Sequence, residues 1–314
     1  MTRRIALLFP GQASQYVGMG RLAFARFSAA AEVFSRVDAA LGEPISRMCF
    51  EGPSERLRET RWQQPAVFAC ALALYQAWRQ DADDANEAIG AAGHSLGEYT
   101  ALVVAGALSL EDAAHLVALR GRLMQEASER SPGGMTALIG LDRARVEAIC
   151  AEVSRPEAGS QEIVVMANDN SPEQQVIAGG LAALERAAGL ARAQGARRAV
   201  PLKVAGAFHS PLMSSAVEEL TEALDRTPLS PGRFPVIANS TAMPIASESE
   251  IRAELIRQVT SPVRWVESIQ RLATWEPDLW VDSGPGNVVA GLAARVLPGI
   301  ETLAISGLVD SARE

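Results

Sequence analysis

The residues best placed to do chemistry lie in Gly93-His94-Ser95-Leu96-Gly97-Glu98-Tyr99. A small, apolar run (Ala88-Ile89-Gly90-Ala91-Ala92) leads into this stretch, and an apolar helical pattern (Ala101-Leu102-Val103-Val104-Ala105) follows it. A strand, a Gly-x-Ser-x-Gly turn and a helix, in that order, make a nucleophile elbow. The turn is tight, and a Cβ at either glycine would clash. It lifts the serine hydroxyl clear of the sheet and sets it at a helix N-terminus. There, backbone N–H groups and the helix dipole stabilise a developing oxyanion. Acyl transfer through Ser95 is the expected chemistry.

A serine nucleophile needs a base, and the chain has three histidines. His94 is committed to the elbow, and His115 sits inside an amphipathic helical pattern, where a half-buried structural histidine is expected. His209, in the loop Gly206-Ala207-Phe208-His209-Ser210-Pro211, remains as the general base. An oxyanion hole pairs two donors. The N–H of Leu96 is one, and the loop Pro10-Gly11-Gln12-Ala13-Ser14-Gln15, after the first strand, is either the second or a plain strand-to-helix turn. Arg120 lies among Val117, Ala118 and Leu119. It either grips a substrate carboxylate by a two-point contact that lysine could not reproduce, or is an ordinary surface arginine.

The elements that must position these residues read as α/β. Strands are expected at Ile5–Phe9, Ala88–Ala92, Phe234–Ala238 and Leu279–Val281, with intervening helices that include Gln64–Arg79 and Leu110–Arg130. Ser109 is the expected N-cap of the latter helix. This is the pattern of a parallel sheet covered on both faces. After Ser131-Pro132-Gly133-Gly134 the order becomes strand Met135–Leu141, helix Arg143–Val153, strands Ile163–Met166 and Gln175–Ala178, helix Leu181–Ala193 and strand Arg198–Leu202. That βαββαβ order is a ferredoxin-like unit. The expected division is a large α/β hydrolase-like domain over 1–131 and 202–314, with a ferredoxin-like small domain inserted at 132–201.

Composition narrows the functional classes. The 314 residues, 48% hydrophobic and 21% charged, describe an ordinary globular protein. A net charge of −8 argues against general nucleic-acid binding. No apolar run reaches membrane-spanning length, and the run after Met1-Thr2-Arg3-Arg4 breaks at Pro10, so a cytoplasmic protein is expected. Cys49, Cys70 and Cys150 lack disulfide-framework or metal-ligand spacing, Cys70 reads as a small core residue, and neither a metal nor a cofactor is expected.

Together these motifs resemble the malonyl-CoA:acyl-carrier-protein transacylase family and the related acyltransferase domains of polyketide synthases. The resemblance is carried by Phe9-Pro10-Gly11-Gln12, Gln64-Pro65-Ala66, the Ser95 elbow and Leu119-Arg120-Gly121-Arg122-Leu123-Met124-Gln125. It continues through Asn168-Asp169-Asn170-Ser171-Pro172, Gly206–Met213, Gln258 with Pro262-Val263-Arg264-Trp265, and Gly284-Pro285-Gly286. It implies a hydrolase-like α/β core with a ferredoxin-like insertion. It further implies Ser95 as nucleophile, His209 as base, and Gln12 with the Leu96 N–H as oxyanion hole. Arg120 is implied to bind the malonyl carboxylate, and a backbone carbonyl at Gln258 to orient the histidine in place of an acid. Phe208, Met124, Gln64, Asn168, Asn170 and His94 are implied around the substrate, with bulky Phe208 crowding any α-substituent.

The implied partners are malonyl-CoA and holo-acyl carrier protein, with no nucleic acid and no membrane, for a monomeric enzyme of fatty-acid or polyketide biosynthesis or a malonate decarboxylase system. Arg186, Arg192, Arg197, Arg198 and Lys203 form a candidate carrier-docking patch. Departures from the family pattern are Ala13 for glycine, Gln63 for threonine and Asn287 for lysine. An acyl-thioester hydrolase on the same scaffold is the nearest alternative. A serine esterase is disfavoured by the missing His-Gly-Gly-Gly loop and by the long stretch after His209. A non-catalytic carrier-binding scaffold is disfavoured by the presence of Ser95, His209 and Gln12 together.

Overall fold

A computed structural model describes residues 2–81, 86–156 and 159–307, so the expected domain limits at 1 and 314 lie outside it. Its strands are β1 (Arg3–Phe9), β2 (Asn86–Gly93), β3 (Gly134–Ile139), β4 (Val164–Ser171), β5 (Gln174–Gly179), β6 (Arg198–Pro201), β7 (Val236–Ile237), β8 (Pro244–Ile245), β9 (Leu279–Asp282) and β10 (Thr302–Ala304). They form a six-stranded sheet, β10-β9-β1-β2-β7-β8, and a four-stranded sheet, β4-β5-β3-β6.

The large sheet is parallel except for β8, which returns antiparallel to β7 at one edge. The sequence pattern does not reveal β8 or β10, which are two and three residues long and too short to show an alternation. The centre of the sheet is buried on both faces. Ile5, Leu7 and Phe9 of β1 enter one core, whereas Ala6 and Leu8 enter a second with Trp265 and Trp280. The period of two along a strand requires this split, and it explains why β1 reads as a continuous apolar run. The four-stranded sheet is antiparallel throughout and carries the helices Arg143–Val153 and Leu181–Ala193, which is the ferredoxin-like arrangement.

Helix Leu110–Arg130 has the expected limits, and the Ser109 side chain accepts from the Asp112 N–H. The preceding long helix starts at Thr60, one turn before the expected Gln64, and Pro65 lies within it. These two helices pack closely because a Cβ on Gly121 would come within 2.9 Å of the Thr60 carbonyl oxygen.

The small sheet is tied through β4 to a loop that precedes a helix packed on the large sheet. The Asp169 N–H donates to the Val263 carbonyl (2.9 Å) and the Val263 N–H to the Ala167 carbonyl (2.8 Å), a one-residue parallel bridge between β4 and the segment before helix Trp265–Ala273. Arg143 reinforces the join, lying 3.6 Å from Asp169 and pairing with Glu267.

Candidate active site

Parallel pairing gathers the chemistry at one edge of the large sheet. Phe9 pairs with Gly93, Leu8 with Asp282 and Ala92 with Ile237, so the loops after β1, β9, β2 and β7 emerge side by side. Ser95 follows β2 with φ 52° and leads into helix Gly97–Ala105. The glycines are sterically required. A Cβ on Gly93 would lie 2.0 Å from the Gly97 carbonyl carbon, and one on Gly97 would lie 2.2 Å from the Phe9 oxygen. Gly11 brings the first loop against the elbow, where a Cβ would meet the His94 oxygen at 2.5 Å. Ala13, next to Gln12, has φ 73°, a conformation that suits glycine and costs an L-residue about 1–2 kcal/mol.

His209 arrives from the segment after β6. Its loop is pinned by Ser210, whose hydroxyl donates to the Ala207 carbonyl (2.6 Å) and accepts from the Leu212 N–H. His209 Nδ1 faces two carbonyl oxygens, those of Gln258 (2.9 Å) and Ser261 (3.1 Å). Carbonyls only accept, so Nδ1 carries the proton and Nε2 is the acceptor for the Ser95 hydroxyl at 2.8 Å. Burial, with the nearby Arg120 charge, lowers the His209 pKa to about 3, so the ring is neutral at ordinary pH. The arrangement is a serine with a neutral imidazole poised to take its proton, and two carbonyls in place of a triad acid.

Arg120 is only 1% exposed, so it is not an ordinary surface arginine. Its Nη2 donates to Ser95 Oγ and to Gln258 Oε1, both at 2.9 Å, and its Nη1 donates to Gln64 Oε1 at 2.7 Å. Its Nε has no partner among the described residues. Every oxygen it touches is neutral, and burial pulls the guanidinium down from its usual pKa. A buried cation held this way is costly to keep and gains strongly from an anion. The N–H groups of Leu96 and Gln12 have no acceptor among the described residues and are free to bind an oxyanion.

A cavity of about 500 Å³ opens over Ser95 and His209. Gln12, His94, Asn168, Asn170 and Phe208 line it, and His94 Nε2 lies 2.8 Å from Asn170 Oδ1. Leu96, Gln64, Met124, Arg120 and Gln258 are not on its wall; they form the layer beneath Ser95, and Gln64 Nε2 lies 3.4 Å from Met124 Sδ. Thus Gln64 and Met124 stand behind Arg120 and do not face the opening. Gln12 is held by Gln63, its Nε2 lying 2.5 Å from Gln63 Oε1. A larger hollow of about 610 Å³, around Trp62 and Arg122 on the outer helices, holds none of these groups.

Three features escape sequence reasoning. Asn239 braces the elbow, accepting from the Ser95 N–H (2.6 Å) and donating to the Gly93 carbonyl (2.7 Å). Its only signal was its place after the strand expected at Phe234–Ala238. Arg295 is the only permanently charged side chain on the cavity wall among the described residues, and it bonds to the neutral Gln174 (2.8 Å). No sequence motif singled out its helix, Val288–Val296. Asp282 carries a pKa raised to about 6 by burial and accepts from the N–H groups of Gly284 and Ala290, fixing the Gly-Pro-Gly loop at the cavity rim.

Other expectations need correction or detail. His115 is exposed, not half-buried, with Nε2 2.9 Å from the Ala40 carbonyl. In the basic patch, Arg186 pairs with Glu162 and Arg197 with Glu173, leaving less free positive charge than the sequence suggests. Cys49, Cys70 and Cys150 are buried and unbridged.

A hydrolase-like sheet with an inserted ferredoxin-like unit, a strained serine bonded to a neutral histidine and a buried arginine beside both define a serine acyltransferase scaffold. The family model for the acyl transferase domain matches residues 6–299, and the chain belongs to that family. It is 39% identical over 303 residues to the malonyl CoA-acyl carrier protein transacylase of Bacillus subtilis strain 168, covering 96% of this chain and 93% of that one. Among solved structures it superposes on the acyl-carrier-protein S-malonyltransferase of Burkholderia pseudomallei 1710b with TM-score 0.91, 38% identity and coverage of 98% and 99%. It matches a type II PKS malonyl-transacylase, solved in complex with its acyl-carrier protein, with TM-score 0.90, 35% identity and the same coverage.

Proposed function

We propose that the enzyme transfers malonyl from malonyl-CoA to the phosphopantetheine thiol of holo-acyl carrier protein through a malonyl ester on Ser95. The observation that carries this reading is the buried Arg120 guanidinium, bonded only to neutral oxygens, 2.9 Å from the nucleophile. Malonyl differs from acetyl by one carboxylate, which is the anion this cation lacks.

Malonyl-CoA enters the cavity and its carboxylate takes Arg120. His209 Nε2 accepts the Ser95 proton as Oγ attacks the thioester carbonyl, and the Leu96 and Gln12 N–H groups hold the oxyanion. The intermediate expels the CoA thiolate, which takes the proton from His209. In the second half, His209 takes the proton of the carrier thiol, whose sulfur attacks the ester carbonyl; the Oγ–acyl bond then breaks and Ser95 takes the proton back from His209. Phe208, on the cavity wall, crowds an α-methyl group; one methyl is worth about 1–3 kcal/mol of discrimination.

A self-contained fold of this size fits a monomer. No helix among the described residues is long and apolar enough to cross a membrane, and the reading places the enzyme in the cytoplasm. Service to fatty-acid or polyketide assembly fits the same chemistry.

The test is intact mass after brief mixing with malonyl-CoA, then after adding holo-acyl carrier protein. The expected adduct is absent in Ser95→Ala and passes to the carrier. An adduct that decays to malonate while the carrier stays unloaded would establish a hydrolase instead.

Arg295 supplies a second check. As the permanent cation on the cavity wall, it is placed to meet a phosphate of the pantetheine arm that CoA and carrier share. Arg295→Ala is expected to raise KM for malonyl-CoA about tenfold, from the loss of one charge-assisted contact. It should leave turnover of phosphate-free malonyl-pantetheine unchanged, and an equal effect on both would remove Arg295 from this role.

A further inference from the structure

Glu98 is fully buried in the first turn of helix Gly97–Ala105 and touches neither substrate nor cavity in the chemistry above. Both of its carboxylate oxygens are engaged. Oε2 accepts from Gln258 Nε2, and Oε1 accepts from the Asn239 N–H at 3.3 Å. The Gln258 amide is therefore read from two sides. Its Nε2 faces Glu98 and the Ser95 carbonyl (3.0 Å), while its Oε1 receives Arg120 Nη2 (2.9 Å). Turning the amide over would set its oxygen against a carboxylate and a carbonyl, and its NH₂ against a guanidinium. A buried polar group is costly to leave unmatched, so Glu98, the Ser95 carbonyl and Arg120 together select one orientation, with Glu98 fixing the donor side.

We propose that Glu98 is a positioning residue for acyl selectivity: it fixes the Gln258 amide with its carbonyl toward Arg120 and thereby aims the guanidinium at the acyl carboxylate. The proposal rests on the reading of Arg120 as the malonyl-binding group. His209 is held by the Gln258 backbone carbonyl, which an amide flip leaves in place. Glu98 thus governs which acyl group is accepted and leaves proton transfer alone.

In Glu98→Gln the new side chain must keep an oxygen on the Asn239 N–H, so it turns its NH₂ toward Gln258. The Gln258 amide then meets an NH₂ on its donor side while the Ser95 carbonyl and Arg120 still oppose inversion, so it shifts and its hold on Arg120 Nη2 weakens. The initial rate of Ser95 adduct formation, read by quenched intact mass, should fall at least about tenfold with malonyl-CoA and change less than about threefold with acetyl-CoA, the loss expected from one mismatched charged hydrogen bond. In a Gln258→Leu background, which has no amide to orient, adding Glu98→Gln should change the malonyl-to-acetyl ratio less than about twofold.

Equal losses for both substrates, or no loss, would overturn the proposal, as would a further shift of that ratio when Glu98→Gln is added to Gln258→Leu. If the single variant does not fold, the comparison of Gln258→Leu with and without Glu98→Gln decides. Failure of wild-type protein to form any malonyl adduct would instead reject the transacylase reading itself.

Discussion

His209→Ala should slow malonylation of Ser95 by about 10⁴-fold, near the upper end for a positioned general base. Nothing else in the structure stands ready to take the serine proton. Nε2 lies 2.8 Å from Oγ, and His94, the other ring on the cavity wall, is bonded to Asn170. The pH dependence sharpens the expectation. The active form is the neutral ring, and burial and then Arg120 hold its pKa down at about 3. The rate of adduct formation should therefore stay flat from about pH 8 to pH 5 instead of failing near 6.5. An acid limb centred between 6 and 7 would contradict the site geometry. Stability follows the same sign. The folded pKa lies below the unfolded value, so protons favour the unfolded chain, and this contribution is lost as pH falls from about 6.5 toward about 3.

Arg120→Ala should reverse the acyl preference. Losing a buried, two-point charged contact costs about 3–4 kcal/mol, so kcat/KM for malonyl-CoA is expected to fall about 10²–10³-fold, while acetyl-CoA changes little. Competition between the two thioesters, with adduct masses 44 Da apart by the mass of CO₂, reads the ratio directly. An unchanged ratio would remove Arg120 from carboxylate recognition. The variant has a second signature. Arg120 is one of the causes that depress His209, so its loss should move the acid limb to higher pH.

Sequence and structure agree best where local chemistry dictates the backbone. The elbow is legible because the Gly93 and Gly97 positions have no room for a Cβ, and helix Leu110–Arg130 because Ser109 and an apolar stripe mark it. The βαββαβ order is legible because Ser131-Pro132-Gly133-Gly134 marks its start and short, mostly buried apolar runs alternate with longer helical patterns. Short elements such as β8 and β10 carry too few residues for a pattern. Asn239 and Glu98 were hidden for another reason: their partners lie more than 140 residues away in sequence, as with Ser95 and Asn239. Arg120 was ambiguous for the same cause, since its partners Gln64, Ser95 and Gln258 come from three separate segments. Ala13 shows the opposite case. Its departure from the family glycine is visible in the sequence, yet only the structure shows that the positive φ is kept.

The bridge at Val263 bears on how the cavity is entered. Asn168 and Asn170 stand on the cavity wall from β4, and β4 is stitched to the Val263 segment within that same short stretch. The small sheet therefore cannot swing away as a lid without breaking two backbone hydrogen bonds and stripping two residues from the wall. Arg295 and Gln174, bonded to each other, both stand on the wall of the cavity that the thioester enters. In hydrogen-exchange terms, the Asp169 and Val263 amides should be as slow as those within the small sheet. Shortening the chain by excising the small sheet would leave the nucleophile facing bulk water.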